Sequence, residues 1–174
     1  QVLSDSPAYV DALKLSLHLL TQALRSGQLL KTDETVLDGL RAQALIAHRR
    51  GRLGATEVAV GAAMLRIEQQ LLHGDINRAQ VLRSEDEVLL LGDPASVALI
   101  DAKLMAMASG GAALDRHVAS LGAAEARALL VWLASHRPNQ CASVAASIGK
   151  LDASGEVTED LLLADTLRDL GRGA

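Results

Sequence analysis

Apolar residues recur along most of the chain at the three- and four-residue spacing of an amphipathic helix. The first run follows Ser6, which precedes a proline and therefore predicts an N-cap, and it ends before Gly27. Its predicted inward positions are Val10, Leu13, Leu17, Leu20 and Leu24. The polar residues between them fall elsewhere on the cylinder, so this is the clearest helix in the sequence.

Further stripes predict a succession of shorter helices separated by glycine and proline. They cover roughly residues 32–50, 56–73, 94–109, 112–121, 123–136, 139–150 and 158–170. The positions expected to be buried include Leu13, Leu17, Leu20, Val60, Met64, Ile67, Val97, Ile100 and Leu104. The helix that begins at Thr56 carries small residues in its first half. Because small residues allow close approach, we expect this half in the crowded middle of the fold.

Residues 75–91 allow two interpretations. Ser84 followed by Glu87 resembles a capping box, which predicts a helix. The run from Val88 to Leu91 is also compatible with a short buried strand, but the sequence offers no second strand to pair with it. We therefore predict an all-α fold, an irregular antiparallel helical bundle of about seven to nine helices. Residues 1–174 are expected to form a single domain, with a possible sub-division at Gly110-Gly111.

The amino-acid composition argues against several classes of function. The chain is 49% hydrophobic and 1% aromatic, with a net charge of −4, so neither base stacking nor general attraction to phosphate is expected. One cysteine excludes an intramolecular disulfide. No apolar run approaches the roughly 18 residues of a membrane span, and the cytoplasm is the default expectation for localisation.

Charge is distributed unevenly along the chain. Residues 41–52 hold Arg41, Arg49, Arg50 and Arg52 without an acid, whereas residues 152–169 are strongly acidic and include Glu159, Asp160 and Asp165. The structural interpretation is two solvated helix ends. The functional interpretation is that one or both segments meet a partner of opposite charge.

The motifs of catalysis and cofactor binding fail at identifiable positions. A phosphate-binding loop before Lys150 lacks its first glycine, since Val144 occupies that position, and Leu151 replaces the magnesium-binding hydroxyl. Neither histidines four residues apart nor a Glu-x-x-His pair occurs. Residues 143–149 are similar to the start of a helix-turn-helix, but the next predicted helix is acidic and would repel DNA. No metal, cofactor or nucleic-acid partner is predicted.

Three histidines fall in the last turns of predicted helices. His48, His73 and His136 precede a glycine or a proline, and a positive side chain is favoured at a helix C-terminus. We interpret them as surface residues at helix ends, with a metal or catalytic role as the alternative. Cys141 lies on an apolar stripe and is interpreted as a small core residue. A cysteine nucleophile assisted by His136 is the alternative.

Trp132 lies beside, rather than on, the inward stripe of its helix and one turn before His136. We therefore predict a partly exposed tryptophan near a contact surface, because exposed Trp is a frequent interface anchor. The sequence favours a non-catalytic helical module that binds another protein or a second copy of itself. Two alternatives stay open: a bundle that holds an apolar small molecule in its interior, and an enzyme or enzyme subunit whose site is scattered in sequence.

Overall fold

The computed structural model describes residues 6–108 and 111–153, and every regular element in these ranges is a helix. The helices are α1 (Pro7–Arg25), α2 (Glu34–Arg49), α3 (Ala55–Leu72), α4 (Ile76–Glu85), α5 (Glu87–Leu90), α6 (Pro94–Ala108), α7 (Gly111–Val118), α8 (Ala123–His136) and α9 (Pro138–Ala153), with a 3-10 turn at Lys31–Asp33. The predicted all-α class is confirmed. The predicted helix at 158–170 lies outside the described residues.

Both ends of α1 follow the sequence signals. The Ser6 side chain accepts a hydrogen bond from the Ala8 amide at 3.2 Å, as an N-cap does. After the helix, Gly27 takes a left-handed conformation with φ 71° and lets the chain turn away.

Residues 76–85 and 87–90 are helical, so the strand interpretation of Val88–Leu91 is wrong. The expected capping box at Ser84 is also wrong, because Ser84 lies inside α4 and Asp86 separates α4 from α5. The true start signal is Asp75, whose side chain accepts a hydrogen bond from the Arg78 amide at 3.1 Å.

The chain divides into two compact units between Pro94 and Ala95. This division lies at the first turn of α6 and not at Gly110-Gly111, the only place where the sequence suggested one. The single domain over 1–174 stays a prediction.

In the first unit, α3 is the central helix and contacts α1, α2, α4 and α5. It runs antiparallel to α2, since Glu34 meets Gln70 at one end of the pair and His48 meets Thr56 at the other. The small residues in its first half are buried, as expected: Ala55, Ala59, Ala62 and Ala63.

In the second unit, α6, α7, α8 and α9 share one core. The inward positions predicted for α8 are all buried: Ala126, Leu129, Leu130 and Leu133. The Cys141 thiol on α9 donates to the Leu130 carbonyl at 3.6 Å, which joins α8 and α9 near their connection.

Five of the nine predicted core positions are buried: Leu13, Val60, Ile67, Ile100 and Leu104. The burial predicted for the other four is wrong, because Leu17, Leu20, Met64 and Val97 lie at the edges of their apolar faces and are half-buried. Within residues 6–108 and 111–153, no helix is both long and apolar enough to cross a bilayer.

Candidate functional site

A partly buried network of arginines and carboxylates joins α2, α3 and α4 in the first unit. Its members are Glu34, Asp38, Arg41, Arg66, Arg78 and Asp86. The three residues from α2 lie at spacings of four and three, so they share one side of that helix. Three arginines face three carboxylates, and the arginine–carboxylate network is therefore balanced in charge.

Arg66 lies at the centre of the arginine–carboxylate network and is only 4% exposed. Its Nη1 lies 3.4 Å from Asp38 Oδ1 and 3.6 Å from Asp86 Oδ2, and its Nη2 lies 3.5 Å from Glu34 Oε1. A buried guanidinium is costly unless carboxylates surround it in this way. The position of Arg66 therefore depends on carboxylates from two other segments of the chain.

Glu34 holds the outer part of the arginine–carboxylate network. Its carboxylate accepts hydrogen bonds from Arg78 Nε at 3.2 Å and from Gln70 Nε2 at 3.0 Å. The hydrogen bond from the Arg78 guanidinium is the main reason that the pKa of Glu34 lies below its ordinary value, and burial opposes the shift.

Asp86 is 3% exposed and pairs with Arg41, whose Nε donates to Oδ1 at 2.9 Å. The Arg41 side chain therefore turns inward to a carboxylate and does not add to the basic surface predicted for residues 41–52. The charge that residues 41–52 present on the surface therefore comes from the end of α2, where Arg49 and Arg50 are exposed.

A ring cluster occupies the side of α8 in the second unit. The Trp132 and His136 rings stack with centroids 4.7 Å apart, and Lys103 Nζ lies 5.6 Å from the Trp132 ring centroid. The His136 Nδ1–H donates to the Trp132 carbonyl at 2.8 Å, which fixes the imidazole orientation. Trp132 is half-buried, as its position beside the inward stripe predicts.

A cleft of about 370 Å³ opens next to this cluster, where α8 meets α9. It is lined by Ala106, Met107, Ala108, His136, Arg137, Pro138, Asn139 and Gln140. Gln140 donates to the Ala106 carbonyl at 2.9 Å, so its amide is held against α6. Among these lining residues there is no carboxylate, hydroxyl or thiol to serve as a nucleophile or a carboxylate base.

Cys141 does not contribute to this cleft. Its thiol is buried in the core of the second unit, and burial raises the pKa of the Cys141 thiol above its ordinary value. Because the thiolate is the reactive form, this environment opposes a nucleophilic role. The core interpretation of Cys141 is confirmed.

The other two histidines predicted at helix ends, His48 and His73, both form hydrogen bonds there. His73 caps α3 and its Nε2 donates to the Leu29 carbonyl at 3.2 Å, while His48 Nδ1 lies 2.7 Å from the Thr56 hydroxyl. In the part of the chain that the structure describes, no three His, Cys, Asp or Glu side chains gather as metal ligands would.

The outer side of α1 presents an apolar stripe that sequence reasoning missed. It runs through Ala8, Ala12, Leu15 and Leu19, all exposed, and the two leucines are 59% and 58% exposed. The opposite side of α1 packs against α2 and α3. The alternation of four- and three-residue steps along the stripe was visible in the sequence, but the inward stripe of α1 has the same spacing.

The structure brings only some of the predicted surface residues together. Trp132 and His136 are in contact in the second unit, whereas Arg49 and Arg50 end α2 in the first and Arg52 follows them half-buried. The acidic positions Glu159, Asp160 and Asp165 lie outside the described residues. Comparison with protein families, curated proteins and solved structures finds no match to this chain.

Proposed function

We propose that the chain is a non-catalytic helical protein–protein interaction module, such as an adaptor, an assembly factor, a chaperone or an accessory subunit. The observation that carries this proposal is the outward stripe of α1, in which Leu15 and Leu19 lie one turn apart on the surface. Single exposed leucines are ordinary, but aligned ones on one helix face are typical of a binding site.

The spacing of the stripe identifies the chemistry of its partner. Steps of four and three residues place Ala8, Ala12, Leu15 and Leu19 along a straight seam, which is the surface that a second amphipathic helix fits. The alanines at one end let the partner backbone approach closely. We therefore propose that α1 binds a helix whose own apolar face covers Leu15 and Leu19.

Trp132 and His136 are proposed as a second contact surface. A half-buried tryptophan with a stacked imidazole combines a large apolar area with a polar edge, as interface anchors do. Trp132→Ala is expected to weaken partner binding or self-association, with His136→Ala as the milder variant. If Trp132→Ala leaves both unchanged, the ring cluster has only a packing role at the edge of the second unit and is not a contact surface.

Charged segments are proposed to steer the encounter. The exposed Arg49 and Arg50 are one candidate surface, and the acidic residues Glu159, Asp160 and Asp165 are the other. Such charges affect association rate and specificity more than affinity, and salt screens them over about 8 Å. Neutralising the three acids together is expected to weaken association at low salt only; unchanged association at low salt contradicts this role.

Site-specific photo-crosslinking in the producing cell tests the function. A photoreactive amino acid replaces Leu15 or Leu19, and Leu91, which follows α5 and is 74% exposed, is the matched control position. We expect positions 15 and 19 to crosslink to one defined polypeptide, identified by mass spectrometry, and position 91 not to do so. The purified polypeptide then has to bind the chain, and Leu15→Gln with Leu19→Gln has to abolish that binding.

Two results would contradict the proposed function. If positions 15 and 19 give no crosslink, or the same products as position 91, the stripe is an ordinary surface and the proposed function is wrong. The proposed function is also wrong if the doubly substituted chain still binds the purified polypeptide as the parent does.

A further inference from the structure

We infer that the outward stripe of α1 pairs with the same stripe of a second copy of this chain, and that the two α1 helices run antiparallel. This inference rests on the proposed function and identifies its partner. The order of charges beside the stripe supports it, because that order fits one arrangement of two copies and not the other.

The side chains of the stripe match in an antiparallel pair. In the pairing centred on the leucines, Leu15 of one copy packs against Leu19 of the other, and this layer occurs twice because the contact is two-fold symmetric. The next layer outwards places Ala12 against Gln22, which is also exposed. Two leucine layers thus form the apolar centre, and smaller or polar residues close the ends.

The charges along one edge of the stripe are also complementary in an antiparallel pair of copies. Asp11, His18 and Arg25 follow one another at intervals of seven residues, so they form a line beside the seam, and all three are exposed. In the antiparallel pair, Asp11 of each copy meets Arg25 of the other, and His18 meets its own equivalent near the two-fold axis. Two complementary ion pairs therefore flank the leucine layers.

A parallel pair lacks this complementarity. In parallel helices, the residues of this edge meet the opposite edge of the partner helix, which here carries Tyr9, Ser16 and Ala23. Asp11 would then face an uncharged side chain, and Arg25 would have no acid. The observed order of charges thus favours the antiparallel pair.

The size of the surface sets the expected affinity. One helix of 19 residues with two leucine layers offers a contact near the low end of specific interfaces. We therefore expect a reversible dimer with a Kd of about 10–100 µM, in the range of weak specific complexes.

Sedimentation velocity of the purified full chain from about 5 to 500 µM tests the dimer, because this range brackets the expected Kd. Leu15→Gln with Leu19→Gln is expected to raise the Kd at least about tenfold, whereas the matched surface change Leu91→Gln alters it by less than about twofold. Circular dichroism and melting temperature serve as folding controls, since all three side chains are already exposed.

Charge reversal tests the antiparallel geometry. Asp11→Arg and Arg25→Asp should each raise the Kd about threefold or more at low salt, and the two substitutions combined should return it to within about twofold of the parent. A chain that stays monomeric to about 500 µM overturns the inference of a dimer. The proposed function is then still decided separately, by the crosslinking experiment. If the leucine variants abolish the dimer while charge reversal has no effect, the antiparallel geometry alone is wrong.

Discussion

The Leu17 side chain on α1 lies directly against Gly61 on α3. A β-carbon added at position 61 would come within 2.6 Å of Leu17 Cδ2, closer than real Cβ contacts. Glycine therefore allows α1 to approach the central helix of the first unit, where Leu17 packs beside Leu13 and Val10. The small residues of α3 set the position of α1, which in turn directs Leu15 and Leu19 outward.

This contact predicts a size-dependent loss of stability. Gly61→Leu is expected to lower the free energy of unfolding by about 1–3 kcal/mol, because the new side chain meets Leu17 at close range. Leu17→Ala alone should cost about 2 kcal/mol, the low end for core leucines, since this side chain is half-buried.

Urea denaturation of the two single variants and the double variant measures the coupling. We expect the double variant to be more stable than the sum of the single losses predicts, because alanine at 17 leaves room for leucine at 61. Strict additivity would show that the two side chains do not meet, and a loss below about 0.5 kcal/mol for Leu17→Ala would show that the inward face is misassigned.

The helices were predictable because strong local signals agree with the packing. Ser6 and Gly27 bound the first apolar stripe, and the structure begins and ends α1 beside them. Such signals failed between α4 and α5, where Ser84 and Glu87 have the spacing of a capping box but Ser84 lies inside a continuing helix. A capping box depends on backbone geometry that residue types alone do not specify.

The arginine–carboxylate network was not predicted, for a different reason. An apolar stripe in the sequence predicts one buried face for each helix. The helix α3 is instead surrounded by other helices and buries Arg66 and Gln70 as well as its apolar residues. The charges of Glu34 and Asp38 beside the apolar stripe of α2 were a usable signal. The sequence did not indicate which helix would supply the opposite charge.

Arg66 is expected to be essential to the stability of the first unit. Arg66→Met should lower the free energy of unfolding by about 3–5 kcal/mol, because it leaves the buried Asp86 with one cation fewer. Adding Asp86→Leu should recover part of that loss, since apolar groups then replace both charges. Denaturant titration of the single and double variants tests this; a double variant as unstable as the sum would contradict the pairing.

Glu34 predicts a specific dependence of stability on pH. Its pKa in the folded state lies below the unfolded value, so its carboxylate stabilises the fold above the unfolded pKa, and this contribution is lost as the pH falls through the folded pKa. Glu34→Gln should cost about 1.5–3 kcal/mol at pH 7, the range of hydrogen bonds to charged groups. The difference from the parent should shrink as the pH falls below the unfolded pKa, which is about 4.3 for a glutamate.

The exposed Glu87 provides the matched control for this measurement. Glu87→Gln is expected to change the unfolding free energy by less than about 0.5 kcal/mol at pH 7. If Glu34→Gln behaves like Glu87→Gln, or if its effect is independent of pH, the ion pair with Arg78 does not stabilise the folded chain.

The burial of Cys141 predicts an unreactive thiol, and a dependence of stability on pH that is opposite in sign to that of Glu34. Burial raises the pKa of the Cys141 thiol in the folded state, so the neutral thiol stabilises the fold below the unfolded pKa, and this contribution is lost as the pH rises through the folded pKa.

A thiol reagent such as DTNB should react at least about 100-fold more slowly with the native chain at pH 8 than with the chain in guanidinium chloride. In a Cys141→Ala background, Ser143→Cys places a thiol at an exposed position of the same helix and should react rapidly. Equal native rates for the two thiols would show that α9 does not bury Cys141 against the Leu130 carbonyl.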